Sequence, residues 1–183
     1  MNKIGMAIDI SHCGDQTSLD VIKYSQKPVF ISHAGARAVW NTRRLKPDEV
    51  IRACAAAGGV IGIEAAPHTT ISPDHPRHSL ESIMDHFEYC VELVGIDHVT
   101  FGPDTLYGDH VALHHVFSSH LSIGQAHGTV DYEEVEYVRG FENPSECFPN
   151  IVRWLVKHNY SDEEIAKVIG GNTLRVLKEV WHG

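Results

Sequence analysis

Short apolar runs alternate with amphipathic stretches along the chain. Gly5-Met6-Ala7-Ile8-Asp9-Ile10 predicts a buried strand ending in Ser11-His12, and Pro28-Val29-Phe30-Ile31 predicts a second ending in Ser32-His33. Val60-Ile61-Gly62-Ile63 predicts a third, and His98-Val99-Thr100-Phe101-Gly102 a fourth that stops at Pro103-Asp104. Leu19, Val21 and Ile22 predict a short helix over 15–25, capped near Asp15 or Thr17. Pro47-Asp48-Glu49 opens the next helix, with Pro at the first helical position and acids in the first turn. Its apolar face is Val50, Ile51, Cys54 and Ala55, and Gly58-Gly59 ends it. Leu80, Ile83, Met84, Phe87, Val91 and Val94 recur at helical spacing before Gly95. A strongly amphipathic helix is expected over 144–158 through Phe148, Ile151, Val152, Leu155 and Val156. Ser161-Asp162-Glu163-Glu164 is a capping-box start, Gly170-Gly171-Asn172 a break, and 173–181 the last helix. Residues 34–46, carrying Arg37, Arg43 and Arg44, and the Pro- and His-rich 66–78 read as loops. Within 105–143 only 111–121 carries a helical pattern.

Four apolar strands alternating with helices imply an α/β fold with parallel strands, read as a single domain over 1–183. Two architectures share that pattern: a small open sheet, or part of a (β/α)8 barrel, whose whole length is about 250 residues. Periodicity alone leaves both open.

Composition narrows the function classes. The 183 residues are 43% hydrophobic and 21% charged, with a formal charge of −9 from 15 Lys and Arg against 24 Asp and Glu. An acidic chain without a basic footprint argues against a nucleic-acid surface. The chain has no apolar run of membrane-spanning length, and Met1-Asn2-Lys3-Ile4-Gly5-Met6 does not read as a secretory leader, so a cytoplasmic location is expected. Cys13, Cys54, Cys90 and Cys147 are widely spaced, which fits neither a cysteine zinc site nor a disulfide framework. Cys54 and Cys90 fall inside apolar helical patterns, as small hydrophobes do. Histidine is abundant at 14 residues. Of these, His75, His78, His158 and His182 sit among polar neighbours and are expected to be solvated.

Three of the four expected strands end in a side chain that can bind a metal: His12, His33 and Asp104. Strand C-terminal ends share one face in both candidate folds, and α/β sites sit there. Two imidazoles and a carboxylate could hold a divalent ion and leave a position for water. The repeated Ser-His after two successive strands favours ligation over local hydrogen bonding. Arg44, with Arg43 as the register alternative, could fork onto a substrate carboxylate. Glu64 follows the third strand and either faces the site or is a supporting or surface acid. Asp9 reads as a structural hydrogen-bonding group. His110, His114, His115 and His120 resemble a cluster without a zincin motif. Phosphate-binding glycine motifs and the nucleophilic-serine elbow are both missing, so neither chemistry has support.

At these residues the sequence resembles the membrane dipeptidase (renal dipeptidase) family of zinc peptidases. The matching pieces are Asp9-Ile10-Ser11-His12, Ile31-Ser32-His33-Ala34 with Arg43-Arg44 downstream, Gly58-Gly59-Val60-Ile61-Gly62, and Val94-Gly95-Ile96-Asp97-His98-Val99 leading to Gly102-Pro103-Asp104. Gly140-Phe141-Glu142-Asn143 through Asn172-Thr173-Leu174-Arg175-Val176 resemble the family's C-terminal helices. The resemblance implies a partial (β/α)8 barrel of the metal-dependent hydrolase kind, with about four C-terminal strand-helix units, and cleavage of dipeptides with two zinc ions. It implies that His12 and His33 are ligands of one zinc, that Asp104 handles a proton beside the bridging water, and that Arg44 holds the substrate's terminal carboxylate. The family's first-strand His-x-Asp pair, its bridging Glu and a substrate-contacting His belong to an N-terminal half that these residues do not match. At most one zinc is therefore expected from this chain's own ligands.

The leading reading is a zinc-dependent dipeptidase represented by its C-terminal half, acting on a dipeptide. An alternative is a non-catalytic half-barrel that binds one metal weakly or pairs with a partner chain, as a homodimer or with a missing N-terminal half. A third is another metal hydrolase, such as a lactonase or deaminase, which the Arg44 clamp disfavours.

Overall fold

The computed structural model describes residues 1–67, 69–105 and 137–181. Three of the apolar runs form one parallel sheet in chain order: β1 (Phe30–Ala34), β2 (Val60–Ile63) and β3 (Val99–Phe101). Phe30 pairs with Val60 and Ile31 with Ile61, while Ile61, Gly62 and Ile63 pair with Val99, Thr100 and Phe101. Every residue of β2 and β3 is buried, which suits a parallel sheet covered on both faces.

The first expected strand is a correction. Asn2–Ile4 is a 3-10 turn, Gly5 has φ 66, and only Asp9 pairs, in a single parallel bridge to Phe30. Ile10 N donates to Phe30 O at 2.8 Å and Phe30 N to Ile8 O at 2.9 Å, so the segment lies beside β1. The ladder stops there because Cys13 N turns back onto Ile10 O while the Asp9 carboxylate takes the Ser11 and Ser32 amides. Among the described residues there are thus three strands plus a bridged edge segment, forming a mixed α/β fold rather than a closed barrel.

The helices form where the pattern places them, with local differences. α1 (Asp15–Tyr24) is entered from Gly14, because the Asp15 carboxylate is occupied by a two-pronged contact with Arg37 at 2.6 and 2.9 Å. Pro47 precedes α2 (Asp48–Ala56) at its cap rather than inside it, and Val50, Ile51 and Cys54 are buried. α3 (Leu80–Val94) starts with a reciprocal Ser79–Ser82 capping box and buries Ile83, Met84, His86, Phe87 and Cys90. Phe87 stacks on Phe101 at 4.9 Å, seating α3 on β3.

α4 (Pro144–Lys157) buries Cys147, Ile151, Trp154 and Leu155. Its buried face is therefore rotated from the expected one: Phe148 and Val156 are 38% and 59% exposed. α5 (Asp162–Ala166) has the expected Ser161–Glu164 capping box, and a wide turn over Lys167–Gly171 leads into α6 (Asn172–Trp181). The Asn172 amide donates to Ile96 O and Val99 O, both at 2.8 Å, tying α6 to the start of β3.

Cys54 and Cys90 are buried and behave as expected, with thiols pushed up to about 12 by desolvation. His78 is another correction: it is buried, because the chain just before it is held against α3, where Ser82 Oγ donates to Thr70 O and the His86 ring meets Ile71 O. His75 pairs with Asp85 at 2.7 Å and His158 stacks on Trp154 at 3.6 Å. The helix expected over 111–121, the His110 to His120 group and His182 lie outside the described residues. Among the described residues no helix is long and apolar enough to cross a membrane.

Candidate metal centre

Parallel strands deliver their C-terminal ends to one edge of a sheet, so residues far apart in sequence meet there. His12 follows the bridged edge segment, His33 lies near the end of β1, Glu64 follows β2 and Asp104 follows β3. The β1–β2 register shifts between Ile31 and Ala34, so Ser32 and His33 occupy a bulge. Bulges re-aim side chains. This one also pushes the Ser32 carbonyl inward, where a Cβ on either Gly62 or Gly102 would overlap its oxygen. Glycine at those two positions is what admits the bulge.

The bulge brings His33 Nε2 to 2.8 Å from His12 Nε2, with the rings tilted at 57° and their centroids 4.9 Å apart. Beneath them the Asp9 carboxylate collects four donors. Its Oδ1 accepts from Ser11 N, Ser11 Oγ and Ser32 N at 3.1, 2.6 and 3.0 Å, and its Oδ2 from Ser32 Oγ at 2.7 Å. Partial desolvation raises the Asp9 pKa, but the bonds from Ser11 and Ser32 outweigh it and hold the carboxyl below its usual range. Ser32 Oγ also meets His33 Nδ1 at 2.7 Å, and Ser11 Oγ accepts from His33 N at 3.1 Å.

Burial lowers the pKa of both imidazoles, helped by the nearby Arg44 cation, while Asp104 acts in the opposite sense on each. Both shifts favour the neutral imidazole, the form that binds metal.

Arg44 enters this edge, whereas Arg43 is exposed. The Arg44 guanidinium donates to the carbonyls of Ser11 at 3.2 Å and His33 at 2.9 Å, so one cation braces the backbone of both histidine segments. Its Nη2 also lies 2.5 Å from Glu64 Oε2, an ion contact without hydrogen-bond alignment. Glu64 is fully buried, and its Oε1 accepts from Thr69 Oγ1 at 2.8 Å. Desolvation pushes the Glu64 carboxyl up to about 7, against the pull of Arg44 and Thr69. Asp104 has φ 55, a left-handed backbone that strains most side chains and that Asp tolerates better than most. It lines a cavity of about 450 Å³ together with Ser32, His33, Pro103, Cys147 and Phe148.

Sequence reasoning missed Lys46. It is 2% exposed, its ammonium donates to Cys13 O at 2.6 Å, and desolvation lowers its pKa. The repeated Ser-His marked the two histidines, but it did not disclose that both serine hydroxyls bond to the Asp9 carboxylate.

The fit to a metal rests on the histidine pair. Two neutral imidazole nitrogens 2.8 Å apart lie within reach of one ion, since zinc–nitrogen bonds are about 2.0–2.1 Å. Among the described residues no group of three or more His, Cys, Asp or Glu side chains surrounds a common point. The pair therefore supplies part of a coordination shell.

Comparison with known proteins places this geometry. The sequence profile of the membrane dipeptidase family (peptidase family M19) matches residues 1–120 and 112–182. Dipeptidase aclJ of Aspergillus oryzae is 30% identical over 182 residues, covering 100% of this chain and 37% of the relative. The chain therefore spans little more than a third of that relative's length. Among solved structures, an amidohydrolase from Pseudomonas aeruginosa superposes with a TM-score of 0.84 at 28% identity, covering 100% of this chain and 55% of that one. A metallopeptidase from Rhodobacter sphaeroides, liganded with a phosphinate mimic of the dipeptide L-Ala-D-Ala, shares the fold with a TM-score of 0.74 at 18% identity, covering 98% of this chain and 44% of that one. With its strand-end histidines facing each other and its profile match running almost end to end, the chain belongs to the membrane dipeptidase family, M19.

Proposed function

We propose that this chain is the C-terminal half of a (β/α)8-type metal hydrolase that splits the peptide bond of a dipeptide into two amino acids. The observation that carries the reading is the facing pair of imidazoles, His12 and His33, beside Asp104 at the end of the sheet. These two histidines would hold one zinc ion. Bound there, zinc would supply Lewis acidity and a water of lowered pKa.

This chain's own residues do the rest. Asp104 takes a proton from the attacking water and returns it to the leaving amine. Arg44, which keeps donors beyond its bonds to Ser11 O and His33 O, holds the substrate's terminal carboxylate. Pro103, Cys147 and Phe148 wall the cavity next to His33 and Asp104 and exclude water from one side. The first-metal ligands come from an N-terminal half or a partner chain.

Asp104→Asn in the full-length protein should lower zinc-dependent release of amino acids from a dipeptide by at least about a hundredfold, the usual scale for a proton-transfer group. Zinc content should stay unchanged. Retained turnover would remove Asp104 from the chemistry.

A second reading is favoured by one observation: the chain covers 37% of its relative, and among the described residues no group of three or more metal-binding side chains converges. On that reading it is a non-catalytic half-barrel that binds one ion or pairs with another chain.

A further inference from the structure

We propose that Asp9 and Ser32 lock the His33 ring in the tautomer that carries hydrogen on Nδ1, so that Nε2 presents a bare lone pair to the metal site. The proposal rests on the metal role of His33 given above.

It follows from counting hydrogens. Ser11 Oγ and Ser32 Oγ lie 2.6 and 2.7 Å from the two oxygens of one carboxylate. An ionised carboxylate only accepts, so each of these contacts consumes the single hydrogen of its hydroxyl. Ser32 Oγ then has only lone pairs left for its 2.7 Å contact with His33 Nδ1. Ser11 Oγ, 3.2 Å from Ser32 Oγ, cannot lend a hydrogen either, because its own points at Asp9 and its lone pair receives His33 N. The hydrogen in the Ser32–His33 contact must come from the ring. A neutral imidazole has one such hydrogen, so Nε2 has none.

The same count fixes His12. The 2.8 Å contact between the two Nε2 atoms needs one hydrogen, and His33 cannot supply it, so His12 carries its hydrogen on Nε2 in the metal-free chain. The two histidines are therefore unequal. His33 is preset for ligation, and His12 must move its hydrogen from Nε2 to Nδ1 to join it. Hydrogen-bond partners that fix a ligand's tautomer commonly account for ten- to hundredfold in metal affinity.

The test uses the full chain labelled with ¹⁵N-histidine at pH 7.5, where an imidazole of ordinary pKa, about 6.5, is neutral. Long-range ¹H–¹⁵N spectra assign each tautomer with chelator present, and competition with a chromophoric chelator gives the zinc affinity. Wild type should show His33 with hydrogen on Nδ1 both without and with zinc, and His12 switching from Nε2–H to Nδ1–H on zinc addition. Ser32→Ala should leave His33 as a tautomer mixture and weaken zinc ten- to hundredfold, and Ser32→Thr should restore both. Asp9→Asn gives the sharpest arm. The carboxamide nitrogen would donate to Ser32 Oγ, the hydroxyl hydrogen would turn to His33 Nδ1, and the ring should invert to Nε2–H. A structural role alone would not invert a tautomer.

If His33 keeps a pure Nδ1–H pattern in both Ser32→Ala and Asp9→Asn, or shows Nε2–H in wild type, the lock is refuted. A wild type with the tautomer fixed but no zinc uptake would support the lock and refute the metal reading.

Discussion

Glu64→Gln should change how stability depends on pH, in a direction that burial dictates. Glu64 is 0% exposed, and desolvation raises its carboxyl from 4.5 to about 7. The folded state therefore holds a proton that the unfolded chain has released over that interval. Stability from this group is fully present below about pH 4.5 and is lost as pH rises toward 7. At about 1.4 kcal/mol per tenfold change, the loss is about 3 kcal/mol.

His86 does the reverse. Burial lowers it from 6.5 to about 4, with its Nδ1 accepting from Ala36 N and its Nε2 meeting Ile71 O. Its stabilisation is present above pH 6.5 and is lost as pH falls toward 4, again by about 3 kcal/mol. In wild type the two slopes oppose each other. Removing Glu64 should expose the histidine slope, so the variant gains stability with rising pH across 4.5–6.5. Urea unfolding with chelator present, followed by tryptophan fluorescence at half-unit pH steps, gives both curves. The wild-type minus variant difference should fall by about 3 kcal/mol between pH 4.5 and 7 and stay flat above. A difference independent of pH would refute the reasoning and show that Arg44 fully offsets the burial of Glu64.

Other perturbations probe the same edge. Arg44→Ala strands the Glu64 carboxyl without its cation and unbraces two carbonyls, so it should cost about 3 kcal/mol in urea melts near pH 8, as breaking a buried pair does. In the full-length protein the same variant should weaken dipeptides with a free C-terminus far more than C-terminally amidated ones, and equal losses would end the clamp role. Gly62→Ala would force a methyl into the Ser32 carbonyl, so its expected outcome is a loss of more than about 2 kcal/mol together with weaker zinc uptake, read by urea melts and chelator competition. The isolated 183-residue chain leaves the β3 edge of its sheet unpaired among the described residues, and open edges recruit other chains. Sedimentation should find dimers or larger species, and dipeptide turnover with added zinc should be negligible; an active monomer would refute this.

Three strands were legible because Val29 to Ile31, Val60 to Ile63 and Val99 to Phe101 are short, predominantly apolar runs, broken by a polar residue only at Thr100, and suited to a sheet buried on both faces. The segment before His12 was overread for a reason that periodicity does not register. Asp9 sits at a strand position, yet its side chain competes for the backbone amides of Ser11 and Ser32. On α4 the mismatch is rotational. Phe148 and Val156 look like core residues, but Cys147 and Trp154 fill the interior, and Phe148 faces the cavity instead. The histidine pair was legible from its repeated Ser-His stops. The Arg44–Glu64 contact was not, because it joins the loop after β1 to the end of β2 and depends on how deeply that edge is buried. Lys46 left no trace in the sequence, since a lysine in a polar loop becomes a buried brace only when Cys13 O closes over its ammonium.

The division of labour within the site follows from where its supports come from. Asp9, Ser11 and Ser32 fix the approach of the His33 ring, and Arg44, backed by Glu64, braces the carbonyls of Ser11 and His33. All of these groups lie between Asp9 and Glu64 and are joined through β1 and the start of the sheet. The geometry of the imidazole pair is therefore set by groups within Asp9 to Glu64, whereas among the described residues no third His, Cys, Asp or Glu side chain closes on the pair. Orientation and coordination number are separate contributions to affinity, one set by hydrogen bonds beneath the ligands and the other by how many ligands arrive. A partner half would add donors to a pair already aimed, and the ordering cost of that pair would already have been met when this chain folded.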